Sequence, residues 1–342
     1  MACNGAEAQP ITLPSDWSGL VCSGSVRDGR GYPRASSALA LALTPASFLN
    51  ISRLLVGGGF VSGRIKVQER EELAVVSAAE RAIAEAFVAA RREARALPTY
   101  PGEIPADLAR GYAIQEVAID LRHGRPVGWK VGGVSPDLQA KLGAHRLAGP
   151  IFADSLWTAG GAPTALPLID GGFAAIEAEF VARIGPDVDP ARCDWTLEAA
   201  AEQIEAVFIG VELSGSPLGA INDLGPVVVA SDYGNNLGLV IGAELTDWRA
   251  RMDDVAVETF IDGVSVGRGG ALSLAGGPLE SVRFLLEHRA RRGRPLAAGT
   301  LVSTGAVTGV HRVGVGSAAT CAFEGVGEIR CTTVAAAPSR EG

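Results

Sequence analysis

The sequence is poor in the residues that build covalent or soft-metal frameworks. Its 342 residues contain five cysteines, Cys3, Cys22, Cys193, Cys321 and Cys331, an odd and scattered set without a Cys-x-x-Cys pair. That argues against a disulfide framework and a structural zinc site, and for free thiols. Four histidines occur (His123, His145, His288, His311), none in a His-x-x-x-His pair, so a metal bound here would be held by oxygen and would be a hard ion, Mg²⁺ or Mn²⁺. Positive charge is not in excess. The balance of 30 Lys and Arg against 38 Asp and Glu gives −8, which carries no electrostatic footprint for nucleic acid or an anionic membrane. No apolar run approaches the ~18 residues of a membrane span, and the N-terminus lacks the basic start and apolar core of a signal peptide. The chain reads as cytoplasmic and suited to small-molecule work.

What is present is enough apolar residue, 47%, for one large domain or two modest ones. Residues 1–75 mix Gly, Ser, Pro and Arg with little periodicity and read as an N-terminal extension, either disordered or upstream of a mis-called start, with Val76 the alternative. Ser77-Ala78-Ala79-Glu80 then opens a capping box with Ile83, Phe87 and Ala90 on one helical stripe. The folded domain is expected over 76–335, followed by a flexible tail at 336–342. Within it, Pro105 is expected in the first turn of a helix running to Leu121, Pro126–Gly132 as a strand, and Ser135-Pro136 as the start of a short helix ended by Gly143. Leu197–Glu205 reads as helix and Ala206–Leu213 as a buried strand. Val255–Ile261 and Val264–Gly267 form a hairpin about Asp262-Gly263, Leu279–Arg292 is a helix, and strands at Thr300–Thr304 and Ala318–Val334 finish the domain.

The most informative feature is Glu177 and Glu179 in Ala175-Ile176-Glu177-Ala178-Glu179-Phe180-Val181. Strand alternation puts both carboxylates on one face and Ile176, Ala178 and Phe180 on the other, with the acid side chains rooted roughly 6 to 7 Å apart. Two like charges that close on a half-buried surface need a shared proton, an arginine or a metal. Glu212 ends another apolar strand and adds a third oxygen ligand. Three carboxylates leave coordination positions open for a bidentate 2-oxo acid, whose enolate form a metal stabilises as a Lewis acid. Lys130, in an otherwise apolar strand, would add a positive charge or donate a proton. The blander alternatives are solvated strand-end carboxylates and a rim lysine snorkelling outward. Asp154 would activate water or cap a turn, and His311 would bind a carboxylate or serve structure. Gly263-Val264-Ser265-Val266-Gly267 matches a serine-hydrolase elbow by letter, but Ser265 follows a hairpin turn instead of opening a helix. Arg268, in Gly267-Arg268-Gly269-Gly270, would meet a substrate carboxylate.

These residues resemble the fumarylacetoacetate hydrolase superfamily, in its 2-keto-4-pentenoate hydratase and 2-oxo-3-hexenedioate decarboxylase branch. The resemblance runs from about residue 77 to 334 and is carried by Gly128-Trp129-Lys130-Val131-Gly132, Lys141-Leu142-Gly143, Phe152-Ala153-Asp154, Ile176-Glu177-Ala178-Glu179-Phe180, Val211-Glu212, Gly277-Pro278-Leu279 and Thr304-Gly305-Ala306-Val307-Thr308-Gly309-Val310. It implies an α+β fold, a mixed β-roll or sandwich with flanking helices. It further implies Mg²⁺ or Mn²⁺ on Glu177, Glu179 and Glu212, catalytic Lys130, a substrate loop with Thr304, Gly305 and Thr308, and a homo-oligomer, and Asp154 is set beside Lys130 as the second catalytic candidate. The implied reaction is hydration of a 2-hydroxy-2,4-dienoate. Decarboxylation of a 2-oxo-3-hexenedioate, carbon–carbon hydrolysis of a fumarylpyruvate type and a non-catalytic scaffold role remain alternatives. Three stretches depart from the branch. His145–Pro150 has no acid where hydratases often carry Asp-Phe-Gly, Ala175 stands where an Arg often precedes the Glu-x-Glu, and Asp232-Tyr233-Gly234-Asn235-Asn236 replaces an Asp-Asn-Ala-Ser segment.

Overall fold

A computed structural model describes residues 54–56, 59–61, 76–122 and 124–339. The chain divides into two units, 1–67 and 68–342. Of the first, the described part is an antiparallel pair, β1 (Leu54–Val56) and β2 (Gly59–Val61). The other expectations for residues 1–75 lie outside the described residues.

The second unit begins with helix α1 (Ala78–Arg92), whose predicted capping box forms: Ser77 accepts from the Glu80 N–H while Glu80 accepts from the Ser77 N–H. Helix α2 (Leu108–Leu121) starts later than the Pro105 signal, because Asp107 supplies the cap by accepting from Arg110 N–H. Then come β3 (Pro126–Gly133), α3 (Pro136–Leu142), β4 (Arg146–Phe152), β5 (Leu156–Thr158), β6 (Thr164–Leu168) and β7 (Phe173–Ile184). Helix α4 (Leu197–Glu202) is shorter than expected, since Gln203 caps it and Glu205 already belongs to β8 (Ile204–Ser216). The chain continues through α5 (Pro226–Ser231), β9 (Asn236–Glu244), α6 (Trp248–Arg251), β10 (Val257–Ile261), β11 (Val264–Gly269) and α7 (Gly277–Arg291). It ends with β12 (Leu301–Ser303), β13 (His311–Arg312), β14 (Ala318–Phe323) and β15 (Gly327–Ala335). Beyond β15, Ala336 N–H and Ser339 N–H donate to Leu168 O and Arg92 O.

Two mixed sheets carry the fold. The larger has the order β4-β3-β12-β7-β8-β9-β5, with β13 also on β7, and the smaller runs β11-β10-β14-β15-β6. Parallel pairs (β3 with β12, β5 with β9, β6 with β15) join otherwise antiparallel ladders. This is the expected α+β architecture.

Strand β7 is buried on both faces, so the alternation read from sequence separates two interiors and not core from solvent. On one side Ile176, Ala178 and Phe180 enter the main core, where Phe180 meets Phe323 of the smaller sheet edge-on, ring centroids 5.8 Å apart. On the other side Glu177 and Glu179 share a face with Val181, which packs with Ile151, Leu239 and Leu301. Strand β3 is anchored similarly. Trp129 is buried under the Arg289 guanidinium of α7, 3.8 Å from its ring centroid, and pleating then turns its neighbour Lys130 to the opposite face.

Candidate active site

Four adjacent strands bring the candidate side chains to one face. Glu177 lies directly opposite Glu212 across the antiparallel β7–β8 ladder, a position where like charges are destabilising. Ser303 of β12 pairs with Val181 on one side and, in parallel register, with Lys130 on the other. One carboxylate oxygen each from Glu177, Glu179 and Glu212 lies within 4.8 Å of the others, and all three residues are buried. The Lys130 Nζ is 3.4 Å from Glu212 Oε2 and equally buried.

The polar partners are unevenly shared. Glu179 Oε2 accepts from Ser303 Oγ at 2.5 Å and from Gly305 N–H at 2.9 Å, while Glu212 Oε1 accepts from the Asn236 amide at 2.8 Å. The other oxygens, Glu179 Oε1 and Glu212 Oε2, are buried without a hydrogen-bond donor. A buried acceptor left so costs about 1–3 kcal/mol, more when charged. Burial raises the carboxyl pKa of all three glutamates, Glu177 and Glu179 to about 7 and Glu212 to about 8. Neighbouring carboxylates push the same way and Lys130 opposes them. Burial works to lower Lys130, but the charges of Glu212, Glu177 and Glu179 outweigh it, so its pKa is raised and it stays an ammonium. Three carboxylates against one ammonium leave the cluster short of positive charge. An all-oxygen donor set with donor-free oxygens fits a hard divalent cation.

Of the remaining sequence candidates, Gly305 joins this cluster through its N–H, at a φ of 116° that a side chain would strain. Thr304 is next to it, but its hydroxyl is spent on Phe180 O at 2.8 Å. Thr308 bonds Thr259 at 2.8 Å and lies 3.3 Å from His311 Nε2. Asp154 sits in a 3₁₀ turn with its side chain 71% exposed, held by Arg122 at 2.8 and 2.9 Å, and is not among the gathered acids. Arg268 is 77% exposed and pairs across the hairpin with Glu258. Ser265 likewise bonds Glu258 from within β11, as its position after a hairpin turn predicts.

Sequence reasoning missed Ser303, Ser214 and Asn236. Ser214, two residues beyond Glu212 on β8, donates its hydroxyl to Asn235 O at 3.0 Å and so braces the turn before Asn236. Asn236 was within reach, since it lies in the segment set apart as a departure from the branch. Ser303 gave no signal, because the parallel β3–β12 register that sets it beside Lys130 joins residues far apart in the chain.

No protein-family model matches the chain. Among curated proteins it is 28% identical over 255 residues to a 2-keto-4-pentenoate hydratase of Burkholderia vietnamiensis strain G4, covering 72% of this chain and 93% of that one. It is 25% identical over 255 residues to a 4-oxalocrotonate decarboxylase of a Pseudomonas species, covering 70% and 92%. Among solved structures, 4-oxalocrotonate decarboxylase from Pseudomonas putida G7, complexed with magnesium and adipate, shares the fold with a TM-score of 0.64. The identity there is 21%, over 75% of this chain and 97% of that one. The resemblance read from the sequence holds in both comparisons.

Proposed function

We propose that this chain, akin in fold and sequence to the hydratases and decarboxylases of the fumarylacetoacetate hydrolase superfamily, is a divalent-metal-dependent lyase that adds water to a 2-hydroxy-2,4-dienoate. The observation that carries this reading is the buried cluster of Glu177, Glu179 and Glu212 beside Lys130, with two carboxylate oxygens that no donor satisfies. Mg²⁺ or Mn²⁺ on those oxygens would supply Lewis acidity to a 2-oxo acid. The protein's part is to hold the three carboxylates in place, orienting Glu179 through Ser303 and Gly305 and Glu212 through Asn236. Lys130, held as an ammonium by the acids around it, delivers a proton to carbon 5 and is reprotonated by the proton the 2-hydroxyl gives up, as the dienol becomes the conjugated 2-oxo-3-enoate. Water then adds at carbon 4 to give a 4-hydroxy-2-oxo acid. The loop around Thr304, Gly305 and Thr308 would line the substrate, and 76–335 would be the catalytic domain.

A second reading rests on Asp154. Hydration calls for a group that delivers water, and Asp154 is exposed and committed to Arg122. Decarboxylation of a 2-oxo-3-hexenedioate uses the same enolate chemistry with carbon dioxide as leaving group and needs no such group. Incubation with Mg²⁺ and 2-hydroxypenta-2,4-dienoate should bleach the diene absorbance. No bleaching, together with carbon dioxide release from 2-oxo-3-hexenedioate, would select the decarboxylase. Inactivity on both, unaffected by chelators, would leave the scaffold role. Glu179→Gln removes ligand charge and is expected to abolish activity; full activity in that variant would refute the carboxylate triad.

A further inference from the structure

Strand β9 begins at Asn236, one residue after a run of left-handed backbone: Tyr233, Gly234 and Asn235 have φ of 52°, 64° and 63°. Such a run persists only when its surroundings fix it, and here they do so densely. Arg91 reaches in from the last turn of α1. Its Nε and Nη2 donate to the Asp232 carboxylate at 2.8 and 2.9 Å, its Nη1 to Asn236 O at 2.8 Å and its Nη2 to Gly215 O at 3.2 Å. Ser216 Oγ donates to the same carboxylate at 2.5 Å, and Asn235 O accepts from Gly215 N–H and Ser214 Oγ. From the other side the backbone at Tyr233 presses on Gly149, where a Cβ would come within 1.9 Å of Tyr233 O. Out of this fixed frame the Asn236 amide donates to Glu212 Oε1, leaving Oε2 facing Lys130.

We infer that Asn236 is a positioning residue. Held through its carbonyl by Arg91, it commits one oxygen of Glu212 to a hydrogen bond and so presents the other, singly, to a cation shared with Glu177 and Glu179. This rests on the metal reading above. An amide suits the task because it donates without adding a fourth negative charge to a cluster already rich in them. A free Glu212 would rotate and bind through either oxygen or both, and second-layer partners of this kind typically set metal affinity by 10–100-fold.

The test is Mn²⁺ affinity of the full chain by calorimetry, with Mn²⁺ electron paramagnetic resonance as a second readout. Asn236→Leu keeps the volume and removes the donor; Asn236→Ser keeps a hydroxyl donor. Asn236→Leu is expected to weaken Mn²⁺ binding by on the order of tenfold or more and to change the resonance spectrum, with Asn236→Ser falling between it and the parent. Mn²⁺ affinity within twofold of the parent in Asn236→Leu overturns the inference, as does equal loss in both variants, which marks a purely structural asparagine. Should Asn236→Leu fail to fold in chelator, Asn236→Ala, which also removes the donor, is read on the same criterion. A parent chain that binds no Mn²⁺ overturns the metal reading and this inference together, whereas a binding parent with an indifferent variant overturns only the inference.

Discussion

Two buried charge clusters meet at Asn236, the first residue of β9, and they are built on opposite principles. In the first, Arg91 and Asp232 are one cation and one anion, 6% and 1% exposed, joined at two points and bonded further to Ser216 and two backbone carbonyls. In the second, three carboxylates meet one ammonium and two oxygens have no donor. A closed, neutral pair holds the fold together and asks for nothing more. An open one, with three carboxyl groups to one ammonium, ionises fully only against its own repulsion and desolvation, which is reasonable only where something else completes it. Asn236 touches both, its carbonyl on Arg91 and its amide on Glu212.

The contrast can be broken most forcefully at Lys130. Lys130→Met removes the only cation paired with the acid cluster among the described residues, and turnover should fall on the order of 10²–10⁴-fold, measured by steady-state kinetics with saturating Mg²⁺. Arg91→Met opens the closed pair and leaves Asp232 buried and uncompensated; equilibrium urea unfolding should show a loss of about 3–5 kcal/mol. The acid cluster should respond in the opposite sense. Its glutamates titrate near 7 to 8 in the folded chain against a usual value of 4.5, so the folded state binds more protons than the unfolded between those limits. The cluster's contribution to the stability of the chelated protein is therefore full below about pH 4.5 and is lost as pH rises through 7 to 8. Glu177→Gln should remove part of that loss, stabilising the chelated protein at pH 8 by about 1–3 kcal/mol. Since a divalent ion competes with those protons, Mg²⁺ should raise the thermal midpoint more at pH 8 than at pH 5.5; equal gains at both would break the contrast. The smallest effect belongs to Arg268→Ala, an exposed pair whose loss should change stability by less than about 1 kcal/mol. A raised KM in that variant would locate Arg268 at the substrate.

Much of the site could be read from local sequence. The capping box at Ser77, the helix closed by Gly143 and the Asp262-Gly263 hairpin turn all follow from short-range backbone chemistry and stand as expected. So does the placement of Glu177 and Glu179 on one face, since pleating is local. Where expectation slipped, the competing effect was also local: Asp107 outranked Pro105 as a helix start, and Glu205 went to strand once Gln203 had capped α4. Asp154 stayed open between turn and catalysis because the partner that holds it, Arg122, is 32 residues away in the chain.

The sequence by itself determined which donors a metal could find here, because residue types alone argue against sulfur and imidazole frameworks and leave carboxylates, and it determined which side chains share a strand face, because alternation has a period of two. Only the tertiary structure decided that Glu212 faces Glu177, that Lys130 reaches Glu212 from three strands away, and which oxygens keep donors. Those facts depend on strand order and register between segments up to 173 residues apart, from Lys130 to Ser303 and on to Glu212, and no local pattern encodes a register.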